Sequence, residues 1–202
     1  MKKVASFLCI GSLCAFIACN SSSTTEDSVD SAKDVNDSMM SDSNSMMNGD
    51  TTHTMSSAPV SQEDADWAVE AANGGMTEVE LGKIAQQKAT SDRVKNFGAM
   101  MVADHGKAGD QLKQIAAQKN ITLPASLSDK SQKDLDNLNK KSGKDFDKAY
   151  IDMMIDDHKK DLDKFKKGST DLKDADLKNF AAQGVPMIQM HLDTIKAIGG
   201  KK

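Results

Sequence analysis

Four residues able to bind a metal or carry a proton each stand four positions after a methionine: Glu80 after Met76, His105 after Met101, His158 after Met154 and His191 after Met187. Two of these pairs lie in near-copies of one another, "MMVADH" and "MMIDDH". A step of four returns to the same face of an α-helix, so each pair shares one stripe. Beyond residue 63 these are the only histidines, and all three occupy the same place in the pattern. A buried imidazole or carboxylate without partners costs several kcal/mol. Two arrangements relieve that cost. In the first, Glu80 accepts hydrogen bonds from the imidazoles, with Asp104, Asp157 and Asp161 at the rim, forming a polar network that fixes helix register. In the second, Glu80, His105, His158 and His191 form a transition-metal site, with Met76, Met101, Met154, Met187 and the same three aspartates around it. Imidazole and carboxylate donors suit copper, iron or zinc, and thioether participation favours copper.

Such a site needs four helices to carry it, and the sequence supplies four apolar stripes at steps of three and four. They are Val69, Ala72, Met76, Glu80, Ile84; then Val94, Phe97, Met101, His105, Ala108, Leu112, Ile115; then Phe146, Tyr150, Met154, His158, Leu162, Phe165; then Leu177, Phe180, Gly184, Met187, His191, Ile195, Ile198. Ser91 or Asp92 offers an N-cap between the first two helices, "KNITLP" stops the second, and "KKGSTD" breaks the third from the fourth. The connection between the second and third helices is long and holds a short helical pattern at Leu135 and Leu138. It can return along the bundle and start the third helix parallel to the second.

Depth tests whether the four groups meet. About the Ser91 turn, Glu80 and His105 are offset by roughly 4–5 Å at 1.5 Å per residue. About a turn near Thr170–Asp171 the mismatch between His158 and His191 is on the order of 12 Å, which sets His191 apart from the others unless the fourth helix starts later than Asp174. Gly184 and Pro186 just before it are candidates for a kink.

The chain opens with "MKKVASFLCIGSLCAFIA", two lysines and an apolar run too short to span a bilayer, which marks residues 1–18 as an export signal. "FIACN" resembles a bacterial lipobox, which implies lipidation at Cys19. With Cys9 and Cys14 in the signal, no cysteine remains for a disulfide or a thiolate site. Residues 19–62 are rich in Ser, Asp and Met and poor in large apolar side chains, the composition of a disordered acidic tether. Glu26, Asp27, Asp30, Asp34, Asp37, Asp42 and Asp50 stand there, with Glu63 at the boundary, against one base, Lys33, so the domain that follows, over 63–199, is nearly neutral within a net charge of −4. With one Trp and one Tyr and no basic stripe, nucleic acid is not an expected partner. Met39, Met40, Met46, Met47, Met55 and His53 in the tether are soft donors of the kind that capture copper(I).

"GGMTEVELGKIAQQKATSDRVKNFGAMMVADH", "LP" at 123–124, "FDKAYIDMMIDDH" and "PMIQMH" closely resemble domain of unknown function family 4142, a group of exported bacterial proteins placed among the ferritin-like helical bundles. The resemblance implies an all-α, ferritin-like four-helix bundle with a long crossover carrying a short extra helix, preceded by the tether. It does not bring ferroxidase chemistry. Di-iron sites need Glu on two helices and Glu-x-x-His on the other two, whereas here Glu70, Glu78 and Glu80 all fall on the first helix. The expectation is therefore an envelope lipoprotein, anchored in the outer membrane by its lipid and facing the periplasm or cell surface, whose bundle binds a transition metal. The alternative is a metal-free structural or interaction module. An enzyme ranks below both, since no nucleophile arrangement, phosphate loop or cofactor fingerprint accompanies the histidines.

Overall fold

A computed structural model of the chain describes residues 27–46 and 60–200. Every regular element among them is a helix: α1 (Ser28–Met46), α2 (Gln62–Lys88), α3 (Asp92–Lys119), α4 (Asp129–Asn139), α5 (Gly143–Asp171) and α6 (Ala175–Ile198). None is long and apolar enough to cross a membrane. The signal over 1–18, Cys19, Met47, His53 and Met55 lie outside the described residues.

Local chemistry places the helix ends. The Ser61 side chain caps α2 by accepting from Asp64 N, and Asp174 caps α6 by accepting from Asp176 N and Leu177 N. Ser91 is the N-cap of α3, and the Asp147 carboxylate holds that turn by accepting from Thr90 N and Ser91 N, each at 2.9 Å. Asn120 ends α3 in the left-handed region (φ 55°), which Asn tolerates. The "KKGSTD" break falls at the last residue of the motif, as α5 continues to Asp171, near the expected turn. Gly168 stays helical: a Cβ there would lie 2.8 Å from Trp67 Nε1, so the glycine makes room for the indole. The Ser169 and Thr170 hydroxyls donate back to the Lys166 and Lys167 carbonyls and prolong the last turn.

Pairwise contacts give the topology. α2 runs antiparallel to α3 across the short turn and antiparallel to α5, as Trp67 meets Phe165 (5.2 Å between centroids) at one end and Thr90 meets Asp147 at the other. α3 runs antiparallel to α6, from the Arg93–Ala197 hydrogen bond to the Lys119–Asp174 ion pair. Helices α3 and α5 are therefore parallel, as the long crossover requires, and α4 within that crossover buries Leu135 and Leu138. Near the α2–α3 turn the core holds Leu81, Phe97, Met101, Phe146, Tyr150 and Met154, all at most 2 % exposed. Each contributes about 1.5–3 kcal/mol by leaving water. A second cluster at the far end gathers Ala65, Ala68, Leu112, Leu177 and Ala181. Asp64, also buried, accepts from Lys173 N and Asp174 N and ties the start of α2 to the α5–α6 turn.

Within the segment expected as a tether, residues 28–46 form α1 and dock on the bundle. Its apolar contact is small, from buried Ala32 and from Met40 packed against the second cluster, and polar pairs add to it. Asn36, 1 % exposed, donates to the Thr122 carbonyl (3.0 Å) and accepts from Thr122 N (2.7 Å). Lys33 pairs with Glu70 at 3.0 Å, and Asp27 accepts from Asp129 N at 2.7 Å. Ala32 and Asn36, four residues apart, form the seated face.

Candidate metal centre

His105 on α3, His158 on α5 and His191 on α6 converge in the interior, with ring centroids 5.8 Å (105 to 158), 5.2 Å (105 to 191) and 5.4 Å (158 to 191) apart. One ring nitrogen from each lies within 4.8 Å of one from each of the others, an arrangement that could hold a metal ion. His158 and His191 are fully buried and His105 is 7 % exposed. The Phe97 ring packs against His158 and His191, at 6.0 and 6.3 Å between centroids.

Each imidazole uses one nitrogen on the protein. His105 Nδ1 meets Glu78 Oε2 at 2.9 Å, His158 Nδ1 donates to the Met154 carbonyl at 2.9 Å, and His191 Nε2 meets Asp104 Oδ2 at 2.9 Å. The Met154 carbonyl and the Asp104 carboxylate can only accept, so in His158 and His191 the proton sits on that nitrogen and the other nitrogen carries a lone pair. The other nitrogens, His105 Nε2, His158 Nε2 and His191 Nδ1, are buried and have no hydrogen-bond partner. Burial pushes all three imidazoles below their ordinary range, His105 to about 4, so they are held neutral. Neutral rings oriented from behind by a carboxylate or a carbonyl are what metal-ligating histidines present.

The spacing of four acquires a physical meaning in α5. His158 turns its Nδ1 back onto the carbonyl of residue 154, so what that methionine supplies to the histidine is its backbone. The Met101 and Met154 side chains are fully buried in the core, whereas Met76 and Met187 line a cleft.

Glu80 does not join the cluster. Its side chain is 42 % exposed and pairs with Lys83 at 2.7 Å. The buried carboxylate on α2 is Glu78, 3 % exposed. Besides His105, Glu78 approaches His158 Nδ1 with Oε1 at 3.3 Å, but that proton is directed at the Met154 carbonyl and Oε1 is left without a hydrogen bond. The register of α2 is hard to read because Gly74 and Gly75 interrupt its stripe. The usable signal is that Glu78 lies three, seven and eleven residues before Leu81, Ala85 and Ala89, all buried. Of the aspartates expected nearby, Asp104 orients His191, and Asp157 pairs with Lys160 at 3.5 Å on the outside. Asp161 lines the cleft with Glu78. Burial pushes both Glu78 and Asp161 well above the usual carboxylate range, to about 7.

The depth mismatch expected for His191 is smaller in the structure. His158 lies 13 residues before the end of α5 at Asp171, and His191 lies 16 after the start of α6 at Ala175. That difference of three residues amounts to about 4.5 Å. The start of α6 at Ala175, just past Asp174, brings the fourth helix into register, and α6 continues unbroken through Pro186.

A cleft of about 1070 Å³ bounded by α2, α3, the 123–127 segment, α5 and α6 reaches His105 and Glu78 from the outside.

A family model described as "Domain of unknown function (DUF4142)" matches residues 49–198. No curated protein sequence matches the chain. Among solved structures, a DUF305 fragment from Deinococcus radiodurans is similar with a TM-score of 0.63 at 11% identity, covering 70% of this chain and 98% of that one. A DUF305 protein from Streptomyces coelicolor, inferred to be secreted, gives a TM-score of 0.57 at 15% identity, covering 69% of this chain and 94% of that one. At these identities the likeness is one of fold.

Proposed function

Since this chain belongs to the DUF4142 family, whose activity is undefined, we propose a function from its own site: a transition-metal-binding bundle of the cell envelope, holding one ion through His105, His158 and His191. The observation that carries this reading is the convergence of three buried imidazoles within ligating reach of one another, each with one ring nitrogen that has no hydrogen-bond partner. In a purely structural polar network each would cost about 1–3 kcal/mol unsatisfied. A metal ion satisfies all three together. Three imidazoles suit zinc, copper or iron, and the nearby carboxylates of Glu78, Asp104 and Asp161 supply compensating negative charge. Glu78 and Asp104 act through the histidines they orient, and Glu80 leaves the ligand set.

The domain carries this site at the envelope, with Cys19 as the acylated residue and the outer membrane as its anchor. The lipobox-like "FIACN" and the inferred secretion of the Streptomyces relative support that location. The α2–α6 order and the crossover are those of ferritin-like bundles, but the donor set differs from a di-iron site, as no pair of bridging glutamates is present.

The test is metal content. The chain without residues 1–18, stripped and then supplied with copper, zinc or iron, should hold one equivalent by mass spectrometry. His105→Ala and His158→Ala should hold none. No stoichiometric metal in the unaltered chain would favour the metal-free interaction module.

A further inference from the structure

The glycines of the bundle divide by what surrounds them. A Cβ on Gly82 would lie 2.6 Å from the Gly98 carbonyl, and one on Gly98 would lie 2.7 Å from the Gly82 carbonyl. Gly168 makes room for Trp67, Gly184 for Phe165 and Gly199 for Ile151, all with approaches of 2.5–2.8 Å. Gly143 and Gly200 adopt positive φ. Those glycines are required by the protein's own backbone or packing.

Four others are not. A Cβ would meet nothing within 4 Å at Gly75, Gly106 or Gly109, and at Gly74 only Asp161 Oδ1 at 3.9 Å. All four stand inside α2 or α3, where glycine weakens a helix relative to alanine. All four line the same cleft. That cleft also contains Glu78 and His105, each more than nine-tenths buried and each with one polar atom lacking a partner, Oε1 and Nε2.

We infer that the cleft admits an exogenous ligand, a small neutral or cationic nitrogen donor such as an imidazole or an amine, which completes the coordination of the ion held by the three histidines. This inference rests on the metal reading above. Three protein ligands leave a tetrahedral ion one open position, the pattern of reactive or exchangeable sites as against closed structural ones. The charge of the ligand follows from the surroundings. Glu78, Glu80, Asp104, Asp110 and Asp161 line the cleft against two bases, Lys107 and Lys113, an acidic excess that opposes an anion, while Met76, Leu112, Leu123 and Phe165 offer apolar walls to the body of the ligand. The four glycines keep the floor of the cleft clear.

The experiment uses the cobalt(II)-loaded chain, whose visible absorption reports coordination without any assay of activity. Imidazole, 4-phenylimidazole and azide are titrated in turn. Both imidazoles should change the spectrum at concentrations at least tenfold below azide. Gly75→Leu with Gly109→Leu should load cobalt yet need at least tenfold more 4-phenylimidazole. Gly75→Ala with Gly109→Ala, which adds one carbon per site to open space, serves if the leucine pair does not fold, and should weaken the same response to a smaller degree. A cobalt spectrum indifferent to all three molecules, or equal responses in unaltered and filled clefts, would overturn this inference alone. Azide binding more tightly than the imidazoles would overturn the assigned ligand class. A chain that takes up neither cobalt nor copper, zinc or iron would overturn the metal reading, and this inference with it; one that holds zinc, copper or iron with an affinity unchanged by either imidazole would overturn this inference alone.

Discussion

The α2–α3 hairpin is built in two ways along its length. Toward its turn, Gly82 and Gly98 bring the two backbones together so closely that neither tolerates a Cβ, and Leu81, Phe97 and Met101 seal the neighbouring core. Away from the turn, Gly74, Gly75, Gly106 and Gly109 face open space and the helices border a cleft. The same residue type closes one half and clears the other. Glu78 and His105 fall between the two sets in the chain, at the level where packing gives way to access. The dry half can hold imidazoles neutral and oriented, and the open half can let an ion reach them.

If an ion sits at that boundary, its removal should have the largest effect. At a free metal concentration a thousandfold above Kd, binding adds about 4 kcal/mol to stability. A thermal melt should therefore rise by roughly 10 °C or more with metal and return on adding a chelator. Breaking the closed half comes next. Gly82→Ala drives a side chain into the Gly98 backbone and should cost about 1–3 kcal/mol, measured by denaturant unfolding. The carboxylate behind His105 follows. Glu78→Gln can still accept from Nδ1 but loses the charge, and metal affinity by competition with a chromophoric chelator should fall about 10–100-fold with the fold retained. The open half should respond in the opposite direction. Gly106→Ala adds a Cβ with nothing within 4 Å and should raise stability by about 0.4–1 kcal/mol in the same unfolding assay. A destabilising result there would mean that the two halves do not differ as described.

Helices α3 and α5 are legible from sequence because their stripes are unbroken. Val94 to Leu112 and Phe146 to Leu162 give period, buried face and histidine position together, and both histidines are where those stripes put them. Asn120 and Ser91 give the ends of α3. In α2 the same reasoning selects Glu80 over Glu78, because the two glycines that clear the cleft also erase the apolar marks that fix the face. The cleft and the ambiguous register have one cause. The "KKGSTD" break gives the end of α5, but the role of Gly168 within it depends on Trp67, about a hundred residues away in sequence. Helix α1 is missed because its seat is the two-way Asn36–Thr122 amide pairing, which leaves little apolar periodicity to detect. Local pattern reveals what local burial determines. Contacts made across the bundle by single glycines and one asparagine lie outside its reach.

The central claim is that His105, His158 and His191 ligate one ion. X-ray absorption on the loaded chain measures this most directly. The account predicts three imidazole nitrogens at about 2.0–2.1 Å if the ion is zinc, with that imidazole scattering reduced in His191→Leu. A shell dominated by sulfur or carboxylate oxygen, or one unchanged by losing His191, would contradict it.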